Sequence, residues 1–180
     1  MKFISFLLNK EAKFGIINNE TITDLTGKIS GANSLKALIE NKGITEAKKY
    51  ASQNAGNIGL NDIEYLPLIP NPGKIICVGL NYSEHVKETN RTVEENPVVF
   101  HRFPESQTAH KQAIQRPIAS HSLDYEGEMA VIMGEGGKHI KPEEALKHII
   151  GYSCYNESTI REWQRHTRQF GMGKNFEKTG

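Results

Sequence analysis

Cysteine is scarce in this chain of 180 residues, which holds only Cys77 and Cys154. Both stand in apolar, strand-like runs, so they read as reduced core residues and not as a disulfide. Neither sign of charge is in excess, with 22 basic residues against 21 acidic ones. That balance lacks the electrostatic footprint of a protein that binds nucleic acid or an anionic membrane. No apolar run approaches the ~20 residues of a membrane helix. The opening, Met1 to Lys10, faintly imitates a signal peptide. Its apolar stretch is too short, however, charge follows at once, and no small-residue cleavage site appears. Internal repeats and low-complexity tracts are absent as well. What is left, 37% hydrophobic and 24% charged, is an ordinary globular composition. The cytoplasm is the expected location, with no nucleic-acid or membrane partner.

The most informative residues present are two carboxylates one residue apart, Glu126 and Glu128, just before the apolar run Met129 to Met133 and its closing Gly134. Such a run reads as a strand, and side chains at i and i+2 of a strand leave the same face about 6.5–7 Å apart. Like charges in that position repel. The pair is therefore either solvated on an exposed edge or buried against a compensating cation. Hard oxygen ligands of this kind suit Mg²⁺, Mn²⁺ or Ca²⁺. Asp124 shares the strand face and reads as a hydrogen-bonding support and not as a ligand. His85 and Glu88 stand three residues apart, and if Ser83 caps a short helix their side chains emerge together. A carboxylate beside an imidazole orients it and stabilises the imidazolium, which suits a general base, although the same spacing on a surface helix is only a salt bridge. The segment Gly134 to Lys138 imitates a phosphate loop but lacks the required spacing, and a hairpin turn explains it better. His101, His110 and His121 are scattered without metal-site spacing.

Along the chain, residues 2–8 and 13–25 read as short strands, with turns at Asn18–Asn19 and Thr26–Gly27. Residues 34–41 and 45–53 read as helices capped by Ser34 and Thr45 and stopped at Gly43 and Gly56. Pro67, Pro70 and Pro72 then mark a domain junction, because proline lacks a donor and restricts its predecessor. Beyond it, strands are expected near 74–78, 98–102, 115–117, 126–133 and 148–156, and helices at 83–88, 142–146 and 160–168. The implied fold is mixed α/β and mostly β, with a small α+β domain over 1–70 followed by a β-rich domain over 71–180.

From Lys74 the motifs resemble those of the fumarylacetoacetate hydrolase family. Lys74 to Glu88 is similar to its strand, Gly-x-Asn-Tyr turn and His-x-x-Glu helix. Pro97 to Phe100, Arg102 to Gln107 and Asp124 to Gly134 follow, then Gly151 to Glu157, Arg161 to Gln164 and Gly173 to Phe176. They stand in the family's order at about its spacing, whereas residues 1–70 are similar only in arrangement. The resemblance implies a family-type β-rich catalytic domain that is incomplete at its C-terminus, since members continue past Gly-Lys-x-Phe with further strands. It implies a divalent ion, Mg²⁺ first with Mn²⁺ or Ca²⁺ as alternatives, held by Glu126, Glu128 and Glu157. The family has aspartate at the last of these, and a helix-start acid before Arg161 is the alternative reading of Glu157. His85, helped by Glu88, would be the base, Lys174 would face the ion and substrate, and Arg161 and Gln164 would bind substrate. Arg165, His166 and Arg168 read as a solvated helix face. Lys111 stands where the family often has glycine.

The activity so implied is metal-dependent C–C hydrolysis of an acylpyruvate or fumarylacetoacetate-like β-diketo acid. Isomerisation, tautomerisation or decarboxylation of a related oxo-acid is the alternative, and a non-catalytic metal-binding homologue a third. Family members are commonly homodimers, and strands left uncovered add a reason to expect a homodimer or higher homo-oligomer.

Overall fold

A computed structural model describes residues 1–84 and 95–180, and separates them into two compact units. The first contains residues 1–71, 108–113 and 127–155; the second contains 72–107, 114–126 and 156–180.

In the first unit, strands β1 (Lys2–Leu8), β2 (Glu11–Asn18), β3 (Thr21–Asp24), β4 (Ile58–Gly59) and β5 (Glu64–Tyr65) form one sheet in the order β4-β3-β2-β1-β5. β1 and β2 pair antiparallel, with Ile4 opposite Gly15 and Phe6 opposite Lys13. Because side chains alternate across a strand, Phe14 and Ile16 reach one face while Ile4, Phe6 and Ile22 reach the other, and all five are buried. Helices α1 (Leu35–Glu40) and α2 (Ile44–Gln53) add Leu35, Leu38, Ala47 and Ala51 to the first of these clusters. Ser34 caps α1 by accepting from the Ala37 amide, as its type predicts. Thr45 does not cap α2. Gly43 holds that place with no side-chain cap, because its own amide closes α1 on the Leu38 carbonyl and a Cβ there would lie 2.8 Å from Leu38 Cδ1.

The same unit contains strand β9 (Gly127–Met133) and, except for its last residue, its partner β10 (Ile149–Asn156), with a 3₁₀ segment, Pro142–His148, between them. Burial alternates along both. Glu128, Ala130 and Ile132 are half-buried, while Met129, Val131, Met133, Ile150 and Tyr152 are exposed.

The second unit holds antiparallel strands β6 (Ile75–Gly79) and β7 (Val98–Arg102), with Ile75 opposite Arg102 and Cys77 opposite Phe100. A short pair joins β8 (Leu123–Asp124) to β11 (Thr159–Ile160), and helices α3 (Arg161–Gln164) and α4 (Gly171–Lys174) follow. The strand expected at 115–117 does not form. Pro117 cannot donate to a ladder, and Gln115 instead bonds the Lys178 carbonyl. The helix expected at 160–168 is confined to α3, beyond which the Arg165 and His166 amides make the shorter-range bonds of a fraying end, to Glu162 and Trp163. Among the described residues, no helix is long and apolar enough to cross a membrane.

Candidate functional site

Glu126 leads into β9, and its backbone is clamped from the end of β10. Its amide donates to Asn156 Oδ1 at 3.1 Å, and its carbonyl accepts from the Glu157 amide at 2.8 Å. This pairing brings Glu157 beside Glu126 although 31 residues separate them in the chain. Glu128 lies two residues along the same backbone. One oxygen from each of Glu126, Glu128 and Glu157 lies within 4.8 Å of the others, a donor set that could hold a metal ion. Hard carboxylate oxygens are the chemistry that Mg²⁺, Mn²⁺ and Ca²⁺ prefer, so the residues present fit such an ion.

Cations from three other elements converge on these acids. Arg161, opening α3, places Nη1 2.8 Å from Glu126 Oε1, and its Nε and Nη2 lie 2.8 and 2.7 Å from Asp124 Oδ2. Asp124 thus orients the arginine. Nη1 also donates to Gln164 Oε1 at 3.2 Å, so Gln164 braces Arg161 from one turn later. Lys174, closing α4, is 1% exposed; its Nζ lies 3.1 Å from Glu126 Oε1, bonds Glu157 Oε2, and sits 5.1 Å from the centre of the Phe100 ring. Arg102, closing β7, puts Nη1 2.7 Å from Glu157 Oε1. Thr159 donates its hydroxyl to Glu126. Burial pushes the Glu126 carboxyl up, but the Lys174 charge, the hydrogen bonds from Thr159 and Lys174, and the Arg161 charge outweigh it. They hold the group below its ordinary value.

The structure therefore brings Glu126, Glu128, Glu157, Lys174, Arg161 and Gln164 into one neighbourhood. His85 and Glu88 lie outside the described residues. Glu157 is buried and spanned by two cations, which a helix-start role alone does not explain. Sequence reasoning passed over Arg102 and Thr159 as site residues. A signal for Arg102 was available, because Val98, Phe100 and Arg102 alternate onto one face of β7, and an arginine on an apolar strand face needs a buried partner. Lys111 adopts φ 63°, the left-handed conformation that glycine takes at least cost, and its Nζ lies 5.5 Å from the Tyr65 ring centre.

Comparison with known proteins identifies the family of the chain. Residues 74–180 match the fumarylacetoacetate hydrolase C-terminal domain family. The mitochondrial oxaloacetate tautomerase of Xenopus laevis is 35% identical over 133 residues, which is 73% of this chain and 42% of that protein. Its Rattus norvegicus counterpart is 36% identical over 118 residues, 65% of this chain and 38% of that protein. The chain thus spans roughly two-fifths of the length of the curated relatives it matches. Among solved structures, a fumarylacetoacetate hydrolase from Exiguobacterium antarcticum superposes with a TM-score of 0.75 at 29% identity, over 99% of this chain and 63% of that one. Maleylpyruvate hydrolase from Sphingobium sp. SYK-6, solved with manganese(II) and pyruvate, shares the fold with a TM-score of 0.72 at 17% identity, over 97% of this chain and 63% of that one. The family match and the fold agree, and the chain belongs to the fumarylacetoacetate hydrolase family.

Proposed function

We propose that this chain carries the ion-binding part of an enzyme that cleaves a C–C bond in an acylpyruvate-like β-diketo acid, using a divalent cation, Mg²⁺ first. The observation that carries the reading is the cluster of Glu126, Glu128 and Glu157 with Lys174 and Arg161 set against it. Among the described residues, four carboxylates, counting Asp124, face three cations, counting Arg102. A divalent ion would turn that balance positive, as an anionic oxo-acid requires. A bound cation of this class supplies Lewis-acid stabilisation of the oxo-acid and of the enolate that cleavage leaves.

The chain's own groups divide the remaining work. Lys174 presents a compact ammonium to developing negative charge. Arg161, oriented by Asp124 and braced by Gln164, offers a fork for a carboxylate. Thr159 keeps Glu126 oriented and ionised. His85, oriented by Glu88, is assigned to take a proton from water as that water attacks the remote carbonyl. The C–C bond then breaks, releasing an acid and, after protonation of the enolate, the oxo-acid.

Keto–enol tautomerisation is the second reading, favoured by the curated relatives named oxaloacetate tautomerases. It needs the same enolate but no attacking water. The two separate on the purified protein with Mg²⁺ and either acetylpyruvate or oxaloacetate. The first reading expects acetate and pyruvate from acetylpyruvate, with turnover down about 10²–10⁴-fold in His85→Ala. Faster oxaloacetate tautomerisation with no acetylpyruvate cleavage would transfer the assignment to the second reading. Inertness toward both would leave a metal-binding homologue.

Self-association and a cytoplasmic location belong to the same proposal. The exposed Met129, Val131, Met133, Ile150 and Tyr152 support a homodimer or higher homo-oligomer, which light scattering on dilute protein checks. The names of the curated relatives point instead to mitochondria, and imaging of a tagged protein decides.

A further inference from the structure

We propose that Arg102 is the positioning residue for the Glu157 carboxylate, and that this pair, not Glu157 alone, sets how tightly the three glutamates hold a divalent cation. The inference rests on the metal reading above. Glu157 is one methylene longer than the aspartate expected in its place, and an unrestrained glutamate spreads over many rotamers. Here its carboxylate is spanned from both sides, by Arg102 Nη1 on Oε1 at 2.7 Å and by Lys174 Nζ on Oε2. Each carboxylate oxygen has two acceptor positions, so these contacts fix the group and still leave lone pairs for an ion. The extra methylene is absorbed by reach toward Arg102.

Arg102 is itself held on every edge. Its Nε donates to Ser106 Oγ at 3.1 Å, Nη1 also donates to the Ser158 carbonyl at 3.1 Å, and Nη2 donates to Thr179 Oγ1 at 3.0 Å. The two hydroxyls donate their own protons to the Phe103 and Phe176 carbonyls, at 2.8 and 2.7 Å, which leaves their lone pairs facing the guanidinium. The side chain is fully buried, so it does not reach solvent directly. On the same face of β7, Phe100 lies beneath Lys174 Nζ. One strand face therefore supports both cations that grip Glu157. A lysine at 102 would keep the charge, but its single nitrogen cannot span partners that diverge from three nitrogens of a planar fork.

That difference supplies the test. Titrating the protein with Mn²⁺, with the free ion followed by electron paramagnetic resonance and folding followed by thermal unfolding, separates positioning from bulk charge. Arg102→Lys conserves charge and is expected to weaken Mn²⁺ binding by about tenfold or more, the usual effect of losing a partner that orients a metal ligand. Glu157→Gln should weaken it as well, and the double variant should bind no worse than Glu157→Gln alone. Parent-like Mn²⁺ affinity in Arg102→Lys beside a weakened Glu157→Gln would overturn the inference, as would losses that multiply in the double variant. If Arg102→Lys does not unfold cooperatively, Ser106→Ala and Thr179→Val carry the test, because each removes a neutral partner of the fork. Either should weaken Mn²⁺ by about threefold or more, a fraction of the loss expected for the full fork, and parent affinity in both would again overturn it. A parent protein that binds no Mn²⁺, or a Glu157→Gln variant with parent affinity, would sink the metal reading and this inference with it.

Discussion

The two units of this chain bury different chemistry. In the first, the most deeply buried side chains are aliphatic or aromatic: Phe6, Phe14, Ile16, Ile22, Leu25 and Leu38. In the second they are Arg102, Lys174, Glu157, Thr159 and Thr179, with Ile160 as the apolar member. Apolar burial is non-directional and proportional to area, so a core of the first kind tolerates changes of shape better than changes of polarity. Buried charges contribute little net stability against their desolvation, and they demand specific partners in specific places. The first unit is thus built to stay folded, and the second holds a set of charges in fixed geometry at some cost to stability.

The largest test of this contrast removes one buried partner from each unit. Arg102→Met should cost about 3–5 kcal/mol, because it leaves the buried Glu157 carboxylate with Lys174 but without its second cation, and Leu38→Ala about 2–5 kcal/mol, through lost contacts and a cavity. Chemical denaturation measures both. The contrast lies in the rescue: a double variant with Arg102→Met and Glu157→Leu should recover part of the loss, because the Glu157 carboxylate is gone while Lys174 keeps Glu126 as a partner. If the double variant is as unstable as the single one, the unbalanced Glu157 charge is not what makes Arg102→Met destabilising.

Ligand linkage comes next. A divalent ion at one hundred times its dissociation constant should stabilise the folded protein by about 2.7 kcal/mol. In thermal unfolding, Mg²⁺ or Mn²⁺ should raise the midpoint relative to chelator, and Glu126→Gln should reduce the rise. Identical midpoints with chelator and excess metal would remove the cation from the second unit's account.

Lys111→Gly bears on a strained turn in the first unit. A non-glycine residue at φ 63° carries about 1–2 kcal/mol of steric cost. Glycine's greater freedom in the unfolded chain returns about 0.4–1 kcal/mol of that, and the contact with Tyr65 is lost. A net gain of roughly 0.5 kcal/mol is expected. A loss would mean that the Lys111–Tyr65 contact outweighs the backbone strain.

The smallest effect is in pH. Glu126 is held below its ordinary value near 4.5, so folding favours its ionised form. The resulting stability is complete above that ordinary value and is lost as pH falls through the depressed native one. With chelator present, Glu126→Gln should flatten the acid limb of the stability curve, and an unchanged limb would show that the surrounding cations do not set the charge of this group.

Much of the scaffold was legible in the amino-acid order. The β1–β2–β3 meander, the Ser34 cap and the strand after Glu128 follow from alternation and local capping, which act over a few residues. The clustering of Glu126 with Glu128 is equally local, since a strand returns to the same face every second residue. Family resemblance, carried by whole motifs, marked Glu157, Lys174, Arg161 and Gln164, although nothing in their spacing could say what they touch. Only the tertiary structure decided the rest. Glu157 meets Arg102 across 55 positions and Lys174 across 17, and Arg102 became part of the site because β7 happens to end beside both. Pairings of that range arise when the chain folds back on itself, and the desolvation cost of each charge selects which partners it must find. Local sequence therefore determined the elements and the acid pair, while long-range ion pairing decided that three carboxylates and three cations share one place.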